Sequence, residues 1–167
     1  MIEIQINDAD AQRVLKLARQ KLTDMTPLMR RLAGDLDYFV QENFASGGRP
    51  KWAGVKRGGT PLVQTGRLKN SITTRYTNNE ATAGTNVEYA AYHQFGTAPH
   101  VIRAKNKKAL AWPGAKHPVK QVNHPGIKAR PFMVLAAGDE QDLVETVNDY
   151  LASIVWTFIA SKPKPQI

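Results

Sequence analysis

Ile2, Ile4 and Ile6 alternate with polar residues, which predicts a short half-buried strand at the start of the chain. Val14, Leu15, Leu17, Ala18 and Leu22 then recur at helical spacing over about four turns, with Asn7 and Asp8 placed to cap them. Thr26-Pro27 restarts the helix, Thr26 as N-cap and Pro27 at the first helical position. Leu28, Leu32, Leu36, Phe39, Val40 and Phe44 follow at three- and four-residue intervals, and Ser46-Gly47-Gly48 stops the run. Burying each large side chain of such a stripe stabilises by roughly 1.5–3 kcal/mol. Near the other end, Leu143, Val147, Tyr150, Leu151, Ile154, Val155, Phe158 and Ile159 repeat at helical period. Asp139, Glu140 and Asp142 suit the positive end of that helix's dipole.

The middle of the chain holds shorter elements. Residues 49–61 read as a long exposed loop, rich in glycine and cationic, with Trp52 its one large apolar side chain. Residues 65–72 fit one or two helical turns. Residues 72–77 and 81–85 flank Asn78-Asn79-Glu80, a hairpin tip. Tyr89, Tyr92 and Phe95 recur at helical spacing, which predicts a short core-packed helix closed by Gly96 in a left-handed conformation. Val101-Ile102 and Ala109-Leu110-Ala111-Trp112 are expected to pair across residues 105–108, with Pro113-Gly114 closing the segment. Pro125-Gly126 is turn chemistry, and Phe132-Met133-Val134-Leu135-Ala136 is either a strand or the lead-in to the last helix. Trp156 and Phe158 are read as core. Helices at both ends around short central strands give an α+β class: a small antiparallel sheet packed with N-terminal and C-terminal helices and carrying long basic loops. At 167 residues this is read as one domain, with 47–61 and 103–128 as mobile loops and 161–167 as a frayed tail.

Charge sharpens that picture. The formal net charge is +9, and residues 43–138 hold 15 basic but only 2 acidic side chains, Glu80 and Glu88. From Tyr89 to Gly138 there is no carboxylate at all. A segment so unbalanced repels itself unless it is solvated, disordered or set against an anionic partner. The cationic candidates for partner binding are Arg49, Lys51, Lys56 and Arg57, with Trp52 among them, in the first arm. Arg103, Lys105, Lys107, Lys108, Lys116, Lys120 and Lys128 are those of the second. Nucleic-acid phosphates are one fitting partner, although no recognised DNA- or RNA-binding signature accompanies the charge. A solvated loop surface and an acidic face on a neighbouring subunit are the other readings.

Catalytic templates do not fit. The chain has no cysteine, which removes disulfides, thiolate catalysis and Cys-ligated zinc. His93, His100, His117 and His124 match no zinc spacing. Ser46 and Ser71 lack a nucleophile elbow, and the glycines of residues 54–60 lack the Gly-Lys-Thr end of a phosphate loop. The expectation is a non-enzyme without cofactor or metal. The first residues lack the features of a signal peptide, and the longest uncharged apolar run, 150–160, is too short to span a bilayer, so a soluble cytoplasmic product is expected.

Three stretches, taken in order, resemble a known family. They are Leu62-Val63-Gln64-Thr65-Gly66-Arg67-Leu68-Lys69-Asn70-Ser71-Ile72, then Tyr89-Ala90-Ala91-Tyr92-His93-Gln94-Phe95-Gly96-Thr97, then His124-Pro125-Gly126-Ile127-Lys128-Ala129-Arg130-Pro131-Phe132-Met133. Together they resemble the phage virion morphogenesis family, tail-completion and head–tail joining proteins of Mu-like phages and prophages. The resemblance implies a structural, non-enzymatic subunit at the neck or tail of the virion, assembled in the bacterial cytoplasm. Its implied partners are other tail and neck proteins. Its implied form is a homo-oligomeric ring, a hexamer being the size considered, and it implies no membrane. Whether the arms face channel DNA or protein stays open, with protein favoured. On this reading Arg67, Tyr92, Phe95, Gly96, Pro125, Arg130 and Phe132 shape the scaffold behind the arms, and removing 47–61 spares folding while abolishing assembly. A sequence-nonspecific nucleic-acid-binding protein is the alternative.

Overall fold

A computed structural model describes residues 8–55, 58–105 and 108–160. The strand expected at Ile2–Ile6, the cations Lys56, Arg57 and Lys107, and the tail 161–167 lie outside the described residues, as do the side chains of Phe158 and Ile159. The element order is α1 (Ala9–Thr23), α2 (Thr26–Ser46), β1 (Ile72–Tyr76), β2 (Ala81–Thr85), α3 (Ala90–Phe95), β3 (His100–Arg103), β4 (Gln121–His124) and α4 (Asp139–Ala160), with a single 3-10 turn at Lys69–Ser71. The class is α+β. Among the described residues the strands form two two-stranded sheets, β1 with β2 and β3 with β4.

The described residues fall into two compact units. One is drawn from residues 8–39, 72–84 and 135–160, the other from residues 40–55, 58–71, 85–105 and 108–134.

The first unit is built on α1, the first part of α2, and α4. Leu28, Tyr150 and Ile154 are buried together, and Ala18, Met25, Leu32 and Val147 pack around them. Apart from Met25, which lies between α1 and α2, those positions belong to the inward stripes that helical spacing predicts. The stripe is narrower than the sequence suggests: Leu15 and Leu22 of α1 are exposed. Trp156 is also exposed, a correction to its reading as core. It follows Ile154 by two residues, which turns it about 200° round the helix from the buried stripe.

The caps differ from expectation too. The Asp8 carboxylate makes no capping bond; it accepts from Gln12 Nε2 at 2.8 Å. α2 begins at Thr26, and the preceding Asp24 accepts the Thr26 backbone N–H at 3.0 Å, so Asp24 plays the part expected of Thr26. Donation from Thr26 holds the Asp24 carboxyl below its ordinary range, with help from Lys21. The hairpin tip clasps this joint: Asn78 Oδ1 accepts from the Met25 N–H, and Asn78 Nδ2 donates to the Thr23 carbonyl at 3.2 Å. An apolar cleft of about 430 Å3 lies in this unit, lined by Met29, Leu32 and Leu36 of α2, Ala81 of β2, and Leu143, Val144 and Val147 of α4.

The second unit is organised around Phe44 and Phe132, each about 1% exposed, with ring centroids 5.3 Å apart. Trp52 packs edge-on against Phe44 at 5.9 Å and is itself buried. α2 ends here in a paired-carbonyl stop: the Gly48 N–H donates to Asn43 and the Gly47 N–H to Phe44, at 2.8 and 3.3 Å.

Candidate assembly interface

Of the two readings of residues 132–136, the strand does not form; the segment is the lead-in to the last helix, and residues 130–136 run as irregular chain into α4. Their backbone groups are served by side-chain amides. Asn43, with no exposed surface, donates Nδ2 to the carbonyls of Phe132 and Val134, each at 2.9 Å. Gln94 Oε1 accepts from the N–H groups of Phe132 and Met133, each at 3.0 Å. The Trp52 indole N–H donates to the Pro131 carbonyl at 3.0 Å. A buried backbone must be paired, and here two amides replace a neighbouring strand.

This pairing explains why α3 is rotated from its expected setting. Ala90 is buried, and His93 and Gln94 lie on its side of the helix, while Tyr92 is 55% and Phe95 79% exposed. Tyr92 and Phe95 are therefore not core residues, contrary to the expectation. The segment at 130–134 needs hydrogen-bond partners, so the polar face of α3 turns inward. The His93 backbone carbonyl accepts the Arg130 N–H at 2.7 Å, and the His93 Nδ1 is buried with no partner among the described residues. Burial, then the charge of Arg130, push the His93 imidazole below its ordinary pKa.

Gly96 does end α3, but at φ 75° and ψ −177°, outside the left-handed helical region. A Cβ there would meet the Ile127 carbonyl oxygen at 2.6 Å and the Ala129 nitrogen at 2.9 Å. The close approach lets Thr97 and Ile127 exchange backbone bonds at 2.9 and 3.2 Å. Gly126 is as tightly held, since a Cβ there would fall 2.2 Å from the Thr97 oxygen.

From that clasp a hairpin extends. β3 pairs antiparallel with β4, His100 opposite His124 through to Arg103 opposite Gln121. Leu110 and Val119 then bridge further out, and the Ala115 N–H closes a turn on the Trp112 carbonyl at 3.0 Å across Pro113-Gly114. The pairing expected between Val101-Ile102 and residues 109–112 is thus replaced by one of longer range. The partner of β3 lies beyond the Pro113-Gly114 turn. Residues 103–128 are consequently not a plain loop, for β4 lies within them.

The hairpin is cationic and open. Arg103, Lys105, Lys108, Lys116, Lys120 and Lys128 are all exposed on it or at its base, and so are Val101, Ile102 and Trp112. All four residues of β3 are exposed. His100 and His124 stack at the base with ring centroids 5.0 Å apart. Among the described residues no group of three His, Asp or Glu side chains converges on a metal position.

The first arm is different. Trp52 is core, not an exposed loop residue, and Pro61 is buried as well. Arg49 Nε donates to Asn43 Oδ1 at 2.9 Å, and Lys51 Nζ donates to the Ser46 carbonyl. Arg130 reaches into the arm, donating from Nε to Ala53 at 3.1 Å and from Nη2 to Gly54 at 3.3 Å. Segment 47–61 therefore belongs to the packing of its unit, and its removal would strip Trp52 from Phe44. Of the remaining scaffold positions, Phe132 is buried, Arg67 sits 6.0 Å from the Tyr89 ring, and Pro125 is exposed. Asn43 and Gln94 are the residues that sequence reading missed. The signal for Asn43 was there: it stands on the apolar stripe of α2, one turn past Phe39 and Val40.

A family model for the phage virion morphogenesis family matches residues 6–152. The chain is 41% identical over 157 residues to the Mu-like prophage FluMu G protein 2 of Haemophilus influenzae (strain ATCC 51907 / DSM 11121 / KW20 / Rd), an alignment spanning 93% of this chain and 99% of that one. No solved structure matches the chain significantly.

Proposed function

This chain belongs to the phage virion morphogenesis family, and from that premise we propose that it is a structural subunit of tail completion or head–tail joining, built into a ring at the neck or tail. The 41% identical relative is a Mu-like prophage protein, which supports a prophage setting for this reading. The observation that carries the reading is the exposed hairpin. It has cations along its length, no carboxylate between Tyr89 and Gly138, and an exposed tryptophan at its turn. A two-stranded ribbon of this kind is marginal alone in water and gains stability when another surface covers it. Among the described residues no helix is long and apolar enough to cross a membrane.

The test is to replace residues 104–120 by a two-residue turn in the phage or prophage. The expected result is a protein that melts as before and particles that lack finished tails or joined heads. Normal particle yield would overturn the role of the hairpin. Exposed Trp112 amid lysines also suits single-strand or duplex DNA, so binding to a short DNA at two salt concentrations separates the alternatives. Submicromolar affinity that falls steeply with salt favours a DNA-facing hairpin; negligible binding favours a protein partner.

A further inference from the structure

Charge is distributed across the molecule in blocks. Segment 89–138 has no carboxylate, and α4, which follows, has five carboxylates and no lysine or arginine. Among the described residues, one compact unit holds 11 basic and 2 acidic side chains and the other 7 basic and 11 acidic. Two copies of such a chain repel when like units meet and attract when unlike units meet.

Shape follows the same division. The cationic hairpin ends in Trp112, 48% exposed, with Lys108 and Lys116 on either side of the turn. The acidic unit contains the apolar cleft between α2 and α4, which Leu32, Leu36, Ala81, Leu143 and Val144 line together with Met29 and Val147. Val144 is 58% exposed there. Glu140 stands one turn before Leu143 and Val144 on α4, Glu80 precedes Ala81, and Asp35 precedes Leu36. No lysine or arginine occurs from 32 to 48 or anywhere in α4. One surface is thus an exposed tryptophan flanked in sequence by lysines, and the other an apolar cleft whose lining residues neighbour Asp35, Glu80 and Glu140 in sequence.

We propose that the hairpin tip of one copy, led by Trp112, seats in the α2–α4 cleft of a second copy of this chain. The proposal rests on the ring reading above and names the surface through which one subunit meets the next. The contact is heterologous: each copy offers one tip and one cleft, so the contact propagates head to tail and closes when the rotation allows. Tryptophan suits the lead position because it brings a large apolar area with few rotatable bonds, and buried tryptophans dominate interface energetics. The flanking lysines set orientation and rate of encounter rather than most of the affinity.

The absence of cysteine makes the test clean. Ala111→Cys places a thiol beside the tip and Gln141→Cys one at the cleft rim, both at exposed positions. A short bismaleimide is applied to the purified full-length double variant at high concentration and to assembled particles carrying it. The expected result is a ladder of dimers, trimers and higher species from the double variant and none from either single variant. Adding Trp112→Ala should cut the ladder at least tenfold, with an unchanged melting temperature. Dimers from Ala111→Cys alone would mean that tips meet tips and would overturn the proposal. So would particles that contain the subunit but yield no ladder, an outcome that leaves the ring reading standing. A ladder from purified protein with no subunit in the particles would instead sink the ring reading and keep this contact.

Discussion

The Asn43 side-chain amide donates to the backbone carbonyl of Phe132 at 2.9 Å, joining positions 89 residues apart in a fully buried setting. The same amide donates to the Val134 carbonyl, and its Oδ1 accepts from Arg49 Nε, so one side chain serves three groups. The irregular run into α4 has its shape because this amide and Gln94 pair its backbone.

Asn43→Ala should therefore destabilise by about 2–4 kcal/mol, since each stranded buried polar group costs about 1–3 kcal/mol. Urea unfolding of wild type and variant measures it. A loss under about 0.5 kcal/mol would mean that water or another side chain serves those carbonyls.

The tryptophans at 52 and 112 should behave oppositely. Trp52→Ala removes a buried ring against Phe44 and a bond to Pro131, and should cost about 3–5 kcal/mol. Trp112→Ala touches an exposed hairpin tip and should stay within about 0.5 kcal/mol. Thermal melts of the two purified variants decide it; equal losses would place Trp112 in a core.

Two glycine substitutions should also differ in sign. Gly96→Ala puts a methyl group 2.6 Å from the Ile127 carbonyl oxygen, so the α3–hairpin clasp must open, at a cost of at least about 1–3 kcal/mol. Gly34→Ala lies within α2 with nothing near its Cβ position and should stabilise by about 0.5–1 kcal/mol. Denaturation midpoints report both.

The pH dependence has a defined direction. The folded-state pKa of His93 is depressed, so the fold favours the neutral ring. Its contribution is complete above the unfolded value of about 6.5 and is lost as pH falls through the lower folded value. Asp24 is depressed as well, and its contribution is lost only in a more acidic window, below about 3.8. Stability measured from pH 7.5 downward should thus decline first in the His93 window, and His93→Gln should remove that first decline. An unchanged profile in the variant would assign the decline elsewhere.

Local pattern alone determined much of this protein. The stripe from Leu28 to Phe44, the acidic start of α4, the Asn78-Asn79 hairpin tip, the Ser46-Gly47-Gly48 stop and the carboxylate-free middle all follow from spacing and composition, because helix, turn and charge are short-range properties. The three-motif resemblance likewise lies in the residues themselves. What tertiary structure decided was which face of α3 turns inward, where Trp52 goes, and which strand β3 takes as partner. Those outcomes depend on unpaired backbone groups contributed from far along the chain. The carbonyls at Phe132 and Val134 drew in Asn43, and the N–H groups at Phe132 and Met133 drew in Gln94 at the expense of Tyr92 and Phe95. Periodicity records where apolar side chains recur; it carries no record of where a distant backbone lacks a hydrogen-bond partner.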